Sequence, residues 1–439
     1  MDICVDRATD SDSAEINVTM AEKEVKSTEQ PQAPKEFTIK LPSLYGQFDI
    51  VAQLQENEED AAHPPRLLNI SKMLRDDPLP AASSRETHII LSTGSGHQKA
   101  NSFYSDVLSP IFEATGITST NLHTTKSESS ILDLTRDIFF PAANSAIPLR
   151  IILASGDGGM VDLINGLLAL PHSPSYIPPD IVLLPLGTAN ALYHSTHPGA
   201  NTWGLSALTS RTSKPLPTYT ATFSPGSRLL VDEARSSLDF GQALHGAVVV
   251  SWGMHASLVA DSDSATYRQH GIARFKMAAQ EALYPSDASL PHAYRGSVSV
   301  LRSSSEHPTW VEIHDTVHLY VLATLVSHLE RTFCISPSSA PLGGDMYLVH
   351  FGPTTGDDAM RIMGLAYQAG KHVDDENVRY EKIEGIRIAM HEADERWRRV
   401  CVDGKIVRVE EGGWVEVRKR ERGVVNLVLG ELSTSAQTF

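Results

Sequence analysis

The chain is predicted to be an α/β protein, with an N-terminal domain on a doubly wound parallel sheet and a C-terminal domain of mostly antiparallel strands. Two observations predict this. Apolar runs without alternation, each leading into a glycine-containing turn, recur three times between residues 86 and 214. Runs of that kind are strands buried on both faces, as in a parallel sheet covered by helices. From about residue 216 the pattern changes to short β-rich runs separated by turn residues, as antiparallel sheets require.

In chain order, residues 1–36 mix Asp, Glu, Ser, Thr, Gln and Pro with few apolar residues, which predicts a disordered acidic tail. Residues 37–85 form a poorly defined extension in which Phe37–Leu41 and Phe48–Val51 alternate as a hairpin does. The α/β domain, 86–214, follows. Its first unit is the strand Thr87–Leu91 and the loop Ser92-Thr93-Gly94-Ser95-Gly96. The second is the strand from Ile151 into Ser155-Gly156-Asp157-Gly158-Gly159, and the third is Asp180–Leu184 into Pro185-Leu186-Gly187-Thr188-Ala189-Asn190. A hinge is expected over Ser210–Pro217. The β-rich domain, 215–430, contains Tyr219–Phe223, Ala247–Val250, Val317–Val321 and Met346–His350 as strands and Asp357–Ala369 as a helix, before a short tail over 431–439.

Composition excludes several function classes. A net charge of −16 argues against a nucleic-acid partner, which needs a basic face. Cys4, Cys334 and Cys401 are too far apart for a disulfide framework or a zinc cluster, and the histidines show no ligand spacing, so no metal ligand is assigned. No apolar run approaches about 18 residues, and the N-terminus lacks the pattern of a secretory signal. A cytoplasmic protein with peripheral contact to intracellular membranes is expected.

Three strand–loop–helix units place their loops at the carboxyl ends of the strands, where open α/β sheets bind ligands. Glycines let backbone N–H groups approach an anion, and a following helix aims its positive end at the same place. Asp157 is the odd member, since a carboxylate repels phosphate unless a proton transfer or a metal needs it. It is either a general base or a turn residue capping the helix after it. Thr188 and Asn190 likewise either offer a hydroxyl and an amide to a ligand or cap the next helix.

At these motifs the chain resembles the diacylglycerol-kinase-type catalytic domain, whose fold is similar to that of NAD kinases, and within that superfamily the sphingosine and long-chain-base kinases. The resemblance rests on Ser155-Gly156-Asp157-Gly158 with Asn165-Gly166-Leu167 beyond it, on the run from Leu184 to Leu192, and on Ser251-Trp252-Gly253 through Tyr267-Arg268 to Arg274-Phe275. It covers roughly residues 86–430. It implies a kinase using ATP and Mg²⁺ on a lipid hydroxyl, most similar to enzymes acting on a sphingoid base, with the active site in the cleft between the domains. Asp157 would be the catalytic base. Ser92, Gly94, Thr125, Ser155, Gly156, Gly158, Gly159, Asp162, Gly187, Thr188, Asn190, Arg268, Arg274, Asp403 and Gly404 would hold the nucleotide. Asp261 would receive the substrate's amino group, with Asp263 as the neighbour in the alternative register.

The chain departs from that family at several places. Ser92-Thr93 stands where the family has Asn-Pro, Lys126 follows Thr125 where a Glu is usual, Asp162 replaces a Glu, and Lys405 ends a motif that otherwise reads Asp-Gly-Glu. Lys405 either neutralises a phosphate or displaces Mg²⁺, and Asp403-Gly404 is also a plain hairpin signal. Two alternatives therefore stand beside the sphingoid-base kinase: a diacylglycerol or ceramide kinase, and a catalytically degenerate lipid- or nucleotide-binding module.

Overall fold

The computed structural model describes residues 35–44, 47–57, 63–75, 85–117, 121–303 and 307–430; all but the last two residues of the expected acidic tail, and all of 431–439, lie outside them. Strands β1 (Glu36–Pro42), β2 (Phe48–Gln55) and β3 (Arg66–Leu74) form an antiparallel meander. The first two are the hairpin read from the alternation. The third was not legible, because its side chains are mostly exposed and carry no apolar rhythm. Ile39, Leu41, Ile50, Ala52 and Leu54 pack with Leu91, Phe112 and Trp203, so the extension shares a core with the α/β domain.

The parallel sheet contains β4 (Glu86–Leu91), β5 (Asn121–Thr124), β6 (Leu149–Ser155) and β7 (Asp180–Pro185) in the spatial order β5-β4-β6-β7. Every residue of β6 and β7 is buried, which is why both read as unbroken apolar runs. Helical segments over 100–115 and 130–144, with α1 (Asp157–Leu168) and α2 (Ala191–Thr196), complete the domain. From β4 the chain moves to one side for β5 and returns to the other side for β6. The loops after β4 and β6 therefore flank the point where strand order reverses.

The sheet is finished by chain from elsewhere. Asn426–Val428 returns from the C-terminal end to pair parallel with β7, and β8 (Ser213–Pro215) pairs antiparallel with it. The hinge expected over Ser210–Pro217 thus contains a sheet strand. The second domain stacks an eight-stranded and a seven-stranded antiparallel sheet, with Trp252, Tyr219, Tyr320, Phe223 and Phe351 buried in the core. The helix expected over Asp357–Ala369 runs from Gly356 to Ala366. Its Ala359, Ile362 and Ala366 are buried in the core.

Candidate active site

The loops after β4, β6 and β7 touch one another. A Cβ added to Gly187 would lie 2.4 Å from the Cα of Gly156, so two backbones meet at a distance only glycine permits. Hydroxyls tie the same loops together. Ser92 Oγ lies 2.8 Å from Ser95 Oγ, which lies 3.3 Å from Ser155 Oγ. The Thr93 N–H donates to Thr125 Oγ1 at 3.0 Å, fastening the loop after β5 to the one after β4. Gly159 closes on Ser155, whereas Gly94 and Gly158 face open space. These loops therefore form a rigid cradle with bare backbone at its surface.

Asp157 sits in the middle, in the first turn of α1. Its carboxylate does not cap its own helix. It accepts hydrogen bonds from the backbone N–H groups of Ala191 at 2.8 Å and Leu192 at 3.0 Å, the first residues of α2. Burial raises its pKa, and these two amides offset part of the rise. Asn190, expected to hold nucleotide, has its amide on its own loop instead. It accepts from Gly187 N–H at 2.8 Å and donates to Gly187 O at 2.9 Å, with φ +54°. Thr188 stands half-buried between them.

The second domain supplies the opposite wall. A strand, β9 (Val249–Gly253), leads into α3 (Met254–Asp261), and α4 (Ala273–Leu283) follows. Between these helices Asp263 holds both expected phosphate arginines, Arg268 at 2.9 Å and Arg274 at 3.4 Å. Arg268 also lies 3.9 Å from Glu128 of the first domain. A Cβ at Gly271 would meet the His97 ring at 3.4 Å, which sets this segment against the loop after β4.

Two expected nucleotide residues have other duties. Asp403 lies in the turn between β10 (Arg399–Val402) and β11 (Lys405–Arg408). Its buried carboxylate accepts from the N–H groups of Ala247, Val248 and Val249 and from the Tyr219 hydroxyl, leaving no oxygen for the cleft. Burial pushes its pKa up to about 6 against those four donors. Gly404, at φ +89°, completes the turn. Asp162 is paired with Lys405 at 2.7 Å. Burial raises the Asp162 pKa, while Lys405 lowers it.

Asp261 borders a cavity of about 310 Å³, walled by Met254, Leu319, Tyr294, Trp397 and Leu290. Its oxygens accept from Arg399 at 2.6 Å and Arg396 at 3.2 Å. Arg399 is nearly buried and Arg396 is exposed, so the second partner is the displaceable one.

Mg²⁺ does not fit the acids of this cleft. The Asp157 carboxylate accepts two amides, Asp162 holds an ammonium and Asp403 faces inward, so each of these acids is engaged by a group of the protein itself. Sequence reasoning missed Thr93, Ser95 and the joint hold of Asp263 on two arginines. The hydroxyl density of Ser92-Thr93-Gly94-Ser95 was the available signal for the first two.

Residues 86–219 match the diacylglycerol kinase catalytic domain. The chain is 26% identical to sphingosine kinase 1 of Homo sapiens over 246 residues, and 26% identical to that of Rattus norvegicus over 241. These matches cover 51% and 50% of this chain, and 62% and 61% of the two curated relatives. The crystal structure of a candidate diacylglycerol kinase from Bacillus anthracis str. Sterne superposes with a TM-score of 0.50 at 15% identity, over 78% of this chain and 96% of that one, a likeness of fold. The loop cradle lies inside the matched segment, and residues 86–219 are similar to the diacylglycerol kinase catalytic domain.

Proposed function

We propose that the protein is a lipid kinase that transfers the γ-phosphate of ATP to the hydroxyl of a sphingoid long-chain base. One observation carries this reading: Asp261 and Asp263, two residues apart, face a mostly apolar cavity and the arginines beside the phosphate cradle, respectively. A lipid headgroup and a triphosphate would then meet at the end of α3. Similarity to sphingosine kinase 1 supports the amine-headed substrate.

In this mechanism the open backbone at Gly94 and Gly158 receives phosphate, and Arg268 and Arg274 exchange Asp263 for phosphate oxygens, which guanidinium binds bidentately. Asp157 takes the proton of the substrate hydroxyl as that oxygen attacks the γ-phosphorus and ADP leaves. The amides of Ala191 and Leu192 hold the carboxylate in one orientation, and its raised pKa makes it a better proton acceptor when ionised. Asp261 meets the substrate's ammonium in place of Arg396. No step is assigned to a protein-held Mg²⁺. The protein would reach its lipid from the cytoplasm by peripheral contact. Among the described residues no helix is long and apolar enough to cross a membrane, and Leu290 beside the cavity is 71% exposed.

The test is transfer of labelled γ-phosphate from ATP to sphingosine, phytosphingosine, ceramide and diacylglycerol, with Asp157→Asn and Asp261→Asn alongside. Sphingoid-base product that falls by about 10²–10⁴ in Asp157→Asn is expected. Full activity in that variant would remove Asp157 from the chemistry, and product from diacylglycerol alone would remove Asp261 from substrate choice. A non-catalytic binding module is the second reading, favoured by the engagement of Asp157 and Asp162 with groups of the protein itself. ATP binding without transfer to any lipid would establish it.

A further inference from the structure

We infer that Lys405 is the protein's own counter-cation for the nucleotide phosphates, so that this chain binds ATP without a divalent cation held on its carboxylates. The inference rests on the nucleotide half of the reading above and is independent of which lipid accepts the phosphate.

Lys405 comes from the second domain and Asp162 from the helix that begins with Asp157. Their contact at 2.7 Å crosses the cleft. Asp162 lies four residues beyond Gly158, about 6 Å along the helix axis. An ammonium fixed on Asp162 therefore stands about one helical turn from the open backbone at Gly158, within reach of a triphosphate bound there.

Its placement is rigid at both ends. On one side Lys405 is the first residue after the Asp403-Gly404 turn, in register with Val402, and the turn is fastened by four donors to Asp403. On the other, the Asp162 side chain is only 12% exposed. An ammonium has three N–H donors, and among the described residues Asp162 is its only ion-pair partner. With the lysine side chain 30% exposed, donors remain for a phosphate oxygen.

The surrounding charges agree. Glu128 acts electrostatically on Asp162 and lies beside Arg268, while Asp263 takes Arg268 and Arg274. Among these groups Asp263 holds Arg268 and Arg274 and Asp162 holds Lys405, so an entering triphosphate replaces acids as partners of three cations that are already in position. A pure domain latch would need the Lys405–Asp162 contact as well, but it would not need donors left facing the cleft.

The experiment is titration of the full chain with a fluorescent ATP analogue, once in EDTA and once in Mg²⁺, for the unaltered protein, Lys405→Met and Lys405→Glu, with thermal unfolding of each. Expected are binding by the unaltered protein in EDTA, at least about tenfold weaker binding in EDTA for Lys405→Met, and a stronger loss for Lys405→Glu that Mg²⁺ restores. Asp162→Asn is the second variant. Because Asp162 both positions the ammonium and competes for it, EDTA binding in this variant falls by clearly less than in Lys405→Met while the melting temperature drops. Unchanged EDTA affinity in folded Lys405→Met, or binding by the unaltered protein only when Mg²⁺ is present, would overturn the inference. Loss of binding in Asp162→Asn equal to that in Lys405→Met, with both melting temperatures lowered, would also overturn it in favour of a latch. Absence of nucleotide binding in both buffers overturns it together with the nucleotide reading. ATP binding that shows the Lys405 pattern while no lipid is phosphorylated leaves it standing and removes the kinase reading.

Discussion

Asp157 and Asp403 both accept hydrogen bonds from backbone N–H groups, yet they have opposite relations to the cleft. Asp157 lies half-buried in the open cradle and orders a neighbouring helix with the group that would accept a proton. Asp403 is sealed inside the second domain by four donors. Its consequence is a measurable pH dependence. A carboxyl whose folded pKa of about 6 exceeds its ordinary 3.8 binds more protons in the native state than in the unfolded one. Its contribution to stability is therefore greatest below about pH 4 and declines by up to about 3 kcal/mol as pH rises to about 6. Asp403→Asn, which presents N–H groups to backbone N–H groups, should cost roughly 1–3 kcal/mol at pH 7. It should also flatten the pH 4–6 slope, both read from denaturant unfolding at several pH values. An unchanged slope would mean that Asp403 stays ionised throughout.

At the scale of elements, the glycine loops act as one body because they touch through backbone. Gly187→Ala would drive a methyl group into Gly156, parting the loops after β6 and β7. The expected outcome is loss of nucleotide binding together with lower stability, measured by fluorescent-nucleotide titration and chemical denaturation. Asn190→Ala removes the side chain that closes the loop on Gly187 and leaves a non-glycine residue at positive φ, for an expected cost of roughly 1–3 kcal/mol. If Asn190→Ala kept full stability but lost ATP, its amide would be a ligand group rather than a loop brace. These loops were legible in the sequence because each signal is local: a buried strand, a glycine turn and a helix start lie within about fifteen residues of one another. β3 was missed for the converse reason, since an edge strand with mostly exposed side chains has no apolar pattern to read.

The whole molecule is closed by three residues. Asn426–Val428 is inserted between β7 and β8, so the first domain cannot complete its sheet until the second has been synthesised. Leu427 is fully buried there, and Leu427→Ala should cost about 2–5 kcal/mol. The loss should appear as a downward shift of one cooperative transition that involves both domains. Two separate transitions, with only one displaced, would show that the domains fold independently of this strand.

The sequence by itself determined the fold class, the position of the glycine cradle and the presence of an acid at its centre, because local periodicity and turn chemistry specify a strand–turn–helix unit wherever it occurs. Only the tertiary structure decided what the polar groups do. Asp157 meets α2 across 34 residues of sequence, Asp403 reaches Ala247 across 156, and Lys405 finds Asp162 in the other domain. A carboxylate's partner depends on which backbone amide or cation the packed chain brings within about 3 Å. No local pattern encodes that distance.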